Sequence, residues 1–240
     1  VCALALVLVL SLAAAAAAKG PVAGLRVIGA GGKVLDEDSF GAGTTSIATS
    51  PKAECFGKGT GGSGKSVTLQ GPTALGMLIQ ASKFTLALKP VLISDHFSFG
   101  LALCGVGGQV VSGEASWYLK INHKSLSVGG DKAKVKAGDE VLWDLAPSYP
   151  YPDELALSAP ATATAGKPFQ VTVYSYDEKG KRKPAEGATV SGAGGPTDSK
   201  GHAMVTLSKP ARLFARDGDD IPSGRVAVCV GGKCPGGGAK

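Results

Sequence analysis

Chemistry-bearing side chains are scarce in this chain. Its 240 residues include three histidines, two methionines and two tryptophans, which leaves few groups for general-base, thioether-ligand or stacking roles. His123 falls at an expected hairpin turn and His202 follows a Ser-Lys-Gly turn, so each reads as a solvated turn residue. Asp95-His96 is an acid–base pair by adjacency alone, and chain neighbours rarely present both groups to one substrate. No serine sits in a nucleophile-elbow context. The pattern predicts no catalytic triad and no enzyme. Aromatics make up 6% of the chain and are not interleaved with Arg and Lys, and the net charge of +6 divides evenly along it. Nucleic acid is therefore excluded as a partner. Internal repeats and heptads are missing too, which excludes solenoids and coiled coils.

Long apolar runs are confined to the start. Residues 1–12 form an uncharged Leu/Val-rich core, followed by six alanines and Lys19-Gly-Pro21. This is the pattern of a secretory signal peptide over residues 1–18, and it fits cleavage better than spanning. Membrane contact is then expected only through that leader before cleavage. The location expected is extracellular or at the cell surface. Cys2 would leave with the leader, so Cys55, Cys104, Cys229 and Cys234 remain. An even number in an exported chain predicts disulfides with three possible connectivities. Pairing each cysteine with its neighbour in the chain is the simplest. Loop closure would then stabilise by about 4 kcal/mol for the long loop and about 2 kcal/mol for the short one. C-x4-C lacks the second ligand pair of a zinc site.

What is abundant is Gly and Ala between short apolar runs, the composition of a loop-rich, mainly β protein. Trp117, Leu119 and Ile121 alternate with Tyr118, Lys120 and Asn122, the period of a half-buried strand. A tight turn at Lys136-Ala-Gly-Asp-Glu140 leads into Val141-Leu-Trp-Asp-Leu145, so each tryptophan sits on its own strand in one core. Leu25-Arg-Val-Ile-Gly-Ala-Gly-Gly-Lys-Val-Leu35 reads as a hairpin. Pro72-Thr-Ala-Leu-Gly-Met-Leu-Ile-Gln-Ala-Ser82 reads as a helix capped by Thr73. After a Pro-rich linker at residues 148–153, short strands at regular spacing fill residues 154–230, and residues 231–240 look like a flexible tail.

The order W-Y-L-K-I-N … G-D-E-V-L-W resembles the transcobalamin-like C-terminal domain family over residues 24–147. The resemblance implies a β-grasp (ubiquitin-like) fold, one helix on a mixed sheet, and a binding role without a reaction. A-G-K-P-F-Q-V-T-V with T-D-S-K-G-H-A resembles bacterial Ig-like surface modules, which implies a β-sandwich over residues 154–230. The chain is thus expected to be a non-enzymatic binding or adhesion module. Its partner would be a cell-surface protein, a polymer or a small ligand. The alternative implied by the first resemblance is a carrier of a corrinoid such as cobalamin. The helical domain that completes such a clamp is not in this chain.

Individual sites divide along the same lines. Gly59-Thr-Gly-Gly-Ser-Gly-Lys-Ser66 matches the P-loop expression, and Val91-Leu-Ile-Ser-Asp95 resembles a Walker-B strand. No apolar strand leads into that loop and β-branched residues follow it, so a plain Gly/Ser loop is the stronger reading. Asp217-Gly-Asp-Asp220 is too short for a calcium loop and reads as a polar turn, so no metal site is expected. Lys179-Gly-Lys-Arg-Lys183 is a positive hairpin tip, either solvated or able to touch anionic polymers. Aromatic residues near the expected joint are the ligand-site candidates: Phe97, Phe99, Tyr118, Tyr149 and Tyr151. Core packing accounts for Phe97 and Phe99 equally well.

Overall fold

The computed structural model describes residues 20–236, so the expected leader and residues 237–240 lie outside it. The chain is mainly β, with one α-helix among the described residues. In the first half the strands are β1 (Val22–Gly29), β2 (Lys33–Gly41), β3 (Thr45–Ala48), β4 (Ser66–Leu69), β5 (Val91–Phe97), β6 (Gly100–Val106), β7 (Gln109–Val110), β8 (Ser116–Ile121), β9 (Lys124–Ser125) and β10 (Glu140–Ala146). Helix α1 (Ala74–Phe84) follows β4, and Thr73 caps it by accepting from the Gly76 amide at 3.1 Å.

Five of these strands make one sheet in the order β2-β1-β10-β8-β9. β1 runs parallel to β10, and the other neighbours are antiparallel. Period-2 alternation sends Val27, Trp117, Leu119 and Trp143 to one face. They share a core with Leu75, Leu78 and Ile79 of α1. Trp143 packs so closely on the backbone of Gly130 that a Cβ there would lie 2.5 Å from the indole. Both tryptophans are buried, as the alternation predicts. Two smaller sheets, β3-β4 and β5-β6-β7, complete this half.

The second half holds β11 (Glu154–Ser158), β12 (Thr162–Ala163), β13 (Pro168–Tyr176), β14 (Arg182–Pro184), β15 (Thr189–Val190), β16 (His202–Thr206), β17 (Ala211–Leu213), β18 (Ala215–Arg216) and β19 (Val226–Val230). β13 is the central strand. β11 takes one edge, and β14 and β16 pair with different stretches of β13 beyond it. β12-β19-β17 form a second sheet and β15-β18 a short ribbon. Leu155, Val171, Val173, Val205, Leu213 and Val228 pack between them.

Cysteines join Cys55 to Cys104 and Cys229 to Cys234, with Cα–Cα separations of 4.9 and 4.1 Å. Two such pairs fit an oxidising compartment. No helix among the described residues is long and apolar enough to cross a membrane. The expected tail is corrected at its beginning. Val230 and Lys233 exchange main-chain hydrogen bonds and Cys234 is tied to β19, so residues 231–234 form a closed turn. Residues 148–153 connect the two halves. The Tyr151 ring stacks on Tyr118 of β8 with centroids 3.9 Å apart, which fastens the connector to the sheet.

Candidate functional site

The sheet face opposite α1 carries Arg26, Ile28, Leu142, Asp144, Tyr118 and Lys120, and the second half covers it. Sequence alternation marks these positions as outward-facing, yet Lys120 is fully buried and Asp144 is only 5% exposed. Glu154, the first residue of β11, is 2% exposed and supplies the counter-charge. It accepts a hydrogen bond from the Arg26 guanidinium, and Lys120 Nζ lies 3.9 Å away. His123 Nδ1 lies 3.0 Å from the same carboxylate, at too oblique an angle for a hydrogen bond. Burial works against the charge on Glu154, but His123, Arg26 and Lys120 together hold its carboxyl below the usual range. Burial pulls Lys120 below its ordinary value.

His123 corrects an expectation. Asn122 and His123 both have positive φ (52° and 67°), the backbone of a two-residue hairpin turn. The turn is as expected, but the side chain is not solvated: its ring stacks on Tyr176 at 4.0 Å. A small apolar cluster, Ile28 and Leu142 against Ile221 with Val34 beside them, seals the middle of this junction. Hydrogen bonds to main-chain carbonyls then tie the halves together. Ser125 N donates to Glu178 O at 2.9 Å, and the Arg26 guanidinium donates to Pro222 O at 2.6 Å.

Beside that seal lies a cleft of about 470 Å³ with walls from both halves. The β1–β2 turn forms one rim, held by Gln109, whose Oε1 accepts from the Ala30 amide at 2.6 Å. Gly32 (φ +70°) lets the other rim approach, since a Cβ there would meet Pro222 Cγ at 3.0 Å. Arg216 of β18 bridges the rims by donating to Gly32 O at 3.3 Å. Asp144 of β10 and Asp220 of the 217–222 turn border the space, along with Asp219. Burial pushes the Asp144 carboxyl up to about 7; Arg26 and Lys120 oppose the shift and Glu154 adds to it. Burial, reinforced by Asp153 and Asp217, pushes Asp220 up to about 6. A second cleft of about 480 Å³, with Arg26 and Glu154 in its lining, mixes carboxylates with arginines, and the Arg225–Glu37 pair at 3.0 Å stands in its wall.

The five aromatic candidates separate into two groups. Tyr118, Tyr149 and Tyr151 come together at the joint, with Tyr149 edge-on to Tyr151 at 5.6 Å. Burial raises the Tyr118 hydroxyl well above its ordinary value, and that hydroxyl contacts Ser125 Oγ. Phe97 and Phe99 stack 5.0 Å apart at the β5–β6 hairpin with Phe56 against them. No ring contact links the two groups among the described residues. Asp144 faces Tyr118 directly across the β10–β8 ladder, so the tyrosine group borders the same side of the joint as the first cleft.

The other sequence features resolve simply. The P-loop-like segment runs into strand β4, which offers no helix N-terminus to a phosphate. Asp95 accepts from Ser63 N and Ser63 Oγ, each at 2.6 Å, and those bonds hold its carboxyl below the usual range. No group of metal-ligating side chains is found among the described residues. The Lys179–Lys183 tip is pinned at its turn by Asp177, which accepts from the Lys179 and Lys181 amides, and Lys183 pairs with Asp153 at 3.0 Å. Sequence reading missed Arg26, Lys120, Asp144 and Glu154 as a set. The one available signal was ionisable residues at alternate positions of apolar strands, which marks solvent and a packed partner alike.

No protein-family model matches this chain, and no curated protein or solved structure matches it either.

Proposed function

We propose that this chain is an exported, non-enzymatic binding module whose β-grasp first half and Ig-like second half form a fixed pair, with the ligand held in the cleft between them. The hairpin–helix–closing-strand order, with β1 parallel to β10, supports the β-grasp reading, as does the W-Y-L-K-I-N … G-D-E-V-L-W resemblance. Two sheets around the Val171–Val228 core support the Ig-like reading. The Ala-rich leader pattern and two disulfides support export.

The observation that carries the proposal is the cleft of about 470 Å³. Its size is that of a small-molecule site, and its polar groups (carboxyls, an amide, a guanidinium and turn main chain) are those of recognition. Both halves build it, so ligand affinity depends on their docking. Amide-resolved NMR with a panel of small polar compounds, cobalamin included for the corrinoid class, tests the reading. Shifts should gather at residues 30–32, 109–112 and 218–222. Shifts confined to the Phe56–Phe97–Phe99 patch would sink it.

A further inference from the structure

Asp144 is the unexplained group of this cleft. It is 5% exposed and borders the open space, yet no hydrogen bond or ion pair within 4 Å reaches its carboxyl among the described residues. The side chain is buried on every side but this one, so its carboxyl is left free for whatever enters the cleft. The charges around it are engaged elsewhere. Arg26 and Glu154 are bonded to each other, and Lys120 is spent on Glu154 and Tyr176 O.

Across the cleft, Asp219 and Asp220 sit on a turn fixed by main-chain bonds, Asp220 N to Asp217 O at 2.9 Å and Ile221 N to Asp153 O at 2.8 Å. The turn therefore cannot easily swing its carboxyls away. Among the described residues Arg216 is the only cation lining the space, and its guanidinium already donates to Gly32 O. The result is a local acidic excess on a protein whose net charge is +6. We propose that the cleft binds a small organic cation bearing a primary ammonium group, seated between Asp144 and Asp220. This inference rests on the reading of the cleft as the ligand site.

Protonation fits this geometry and gives it a sign. The Asp144 carboxyl is raised to about 7 and Asp220 to about 6, so both lose charge as the medium becomes acidic. Arg26, Lys120 and Glu154 face Asp144, while Asp153, Asp217 and Lys183 face Asp220. An alkylammonium, with a pKa of about 10, keeps its charge throughout.

The test uses three matched five-carbon probes on the folded protein: 1,5-diaminopentane, 1,5-pentanediol and glutarate. At about pH 8 the diamine alone should shift the amides of Gly31, Gly32 and Gln109. Affinity should fall by about tenfold or more at about pH 5, the scale of losing one charged contact. Asp144→Asn and Asp220→Asn should each weaken the diamine by a similar factor. If the buried variant fails to fold, Asp220→Asn decides, because its site is a surface turn. Diamine affinity unchanged in the variants, or no diamine shift at the cleft, overturns the inference. Cleft shifts from the diol or glutarate alone would also overturn it, while leaving the cleft standing as the ligand site.

Discussion

The five-stranded sheet has two covered faces built on opposite principles. Toward α1 it presents Val27, Trp117, Leu119 and Trp143, an apolar layer whose cohesion is non-directional. Toward the second half it presents Arg26, Lys120 and Asp144 around a small apolar seal. Hydrophobic cover tolerates sliding and repacking. Charged groups aligned on one carboxylate do not, because a small rotation strands a buried charge. The first face supplies stability and the second supplies orientation. The cleft exists because the polar face is covered incompletely.

Five variants break or sharpen that contrast. Trp143→Ala should cost about 3–5 kcal/mol in urea unfolding, the usual loss for a buried large aromatic. A smaller loss would mean that the apolar face is not the stabilising one. Glu154→Ala leaves Arg26 and Lys120 without their counter-charge and should cost about 3 kcal/mol. The triple change Arg26→Met, Lys120→Met, Glu154→Leu should recover most of that while blurring the relative placement of the halves, read by amide shifts across the joint.

Asp144→Asn should act in the other direction and with a pH dependence. The folded carboxyl keeps its proton up to about pH 7, while an unfolded aspartate releases it near about pH 4. The wild-type protein therefore loses stability as pH rises through that window, and asparagine removes the loss. The variant's advantage should grow by about 1.4 kcal/mol per pH unit toward neutral pH and vanish below about pH 4, as followed by urea midpoints. A flat difference across that range would show that Asp144 is charged in both states. The smallest effect belongs to Arg225→Ala. Its pair with Glu37 is partly exposed, so thermal melts should move by less than about 1 kcal/mol.

Much of the apolar face was legible in the sequence. Alternation around Trp117 and Trp143 and the Thr73-capped helix each follow from local pattern, and the structure places all of them as expected. β12 and β14 were not, being two or three residues long and lacking an apolar pattern. The cleft was not legible either. Asp144 and Asp220 are 76 positions apart, and each looks like an ordinary surface carboxylate until the halves dock. Tyr118 and Tyr151 were singled out because they flank the joint, and they do meet there. Phe97 and Phe99 were grouped with them by proximity along the chain, which says nothing about the separate hairpin they occupy.

The parallel ladder between β1 and β10 also dictates an order of events. Val22–Gly29 is made well before its neighbour Glu140–Ala146, which follows only after eight other strands and a helix. Until that late strand arrives, one edge of β1 has nothing to pair with, and a newly made chain must wait open. Such distant pairing makes assembly slow relative to local hairpins. A polypeptide that cannot close its first sheet early stays threadable for longer.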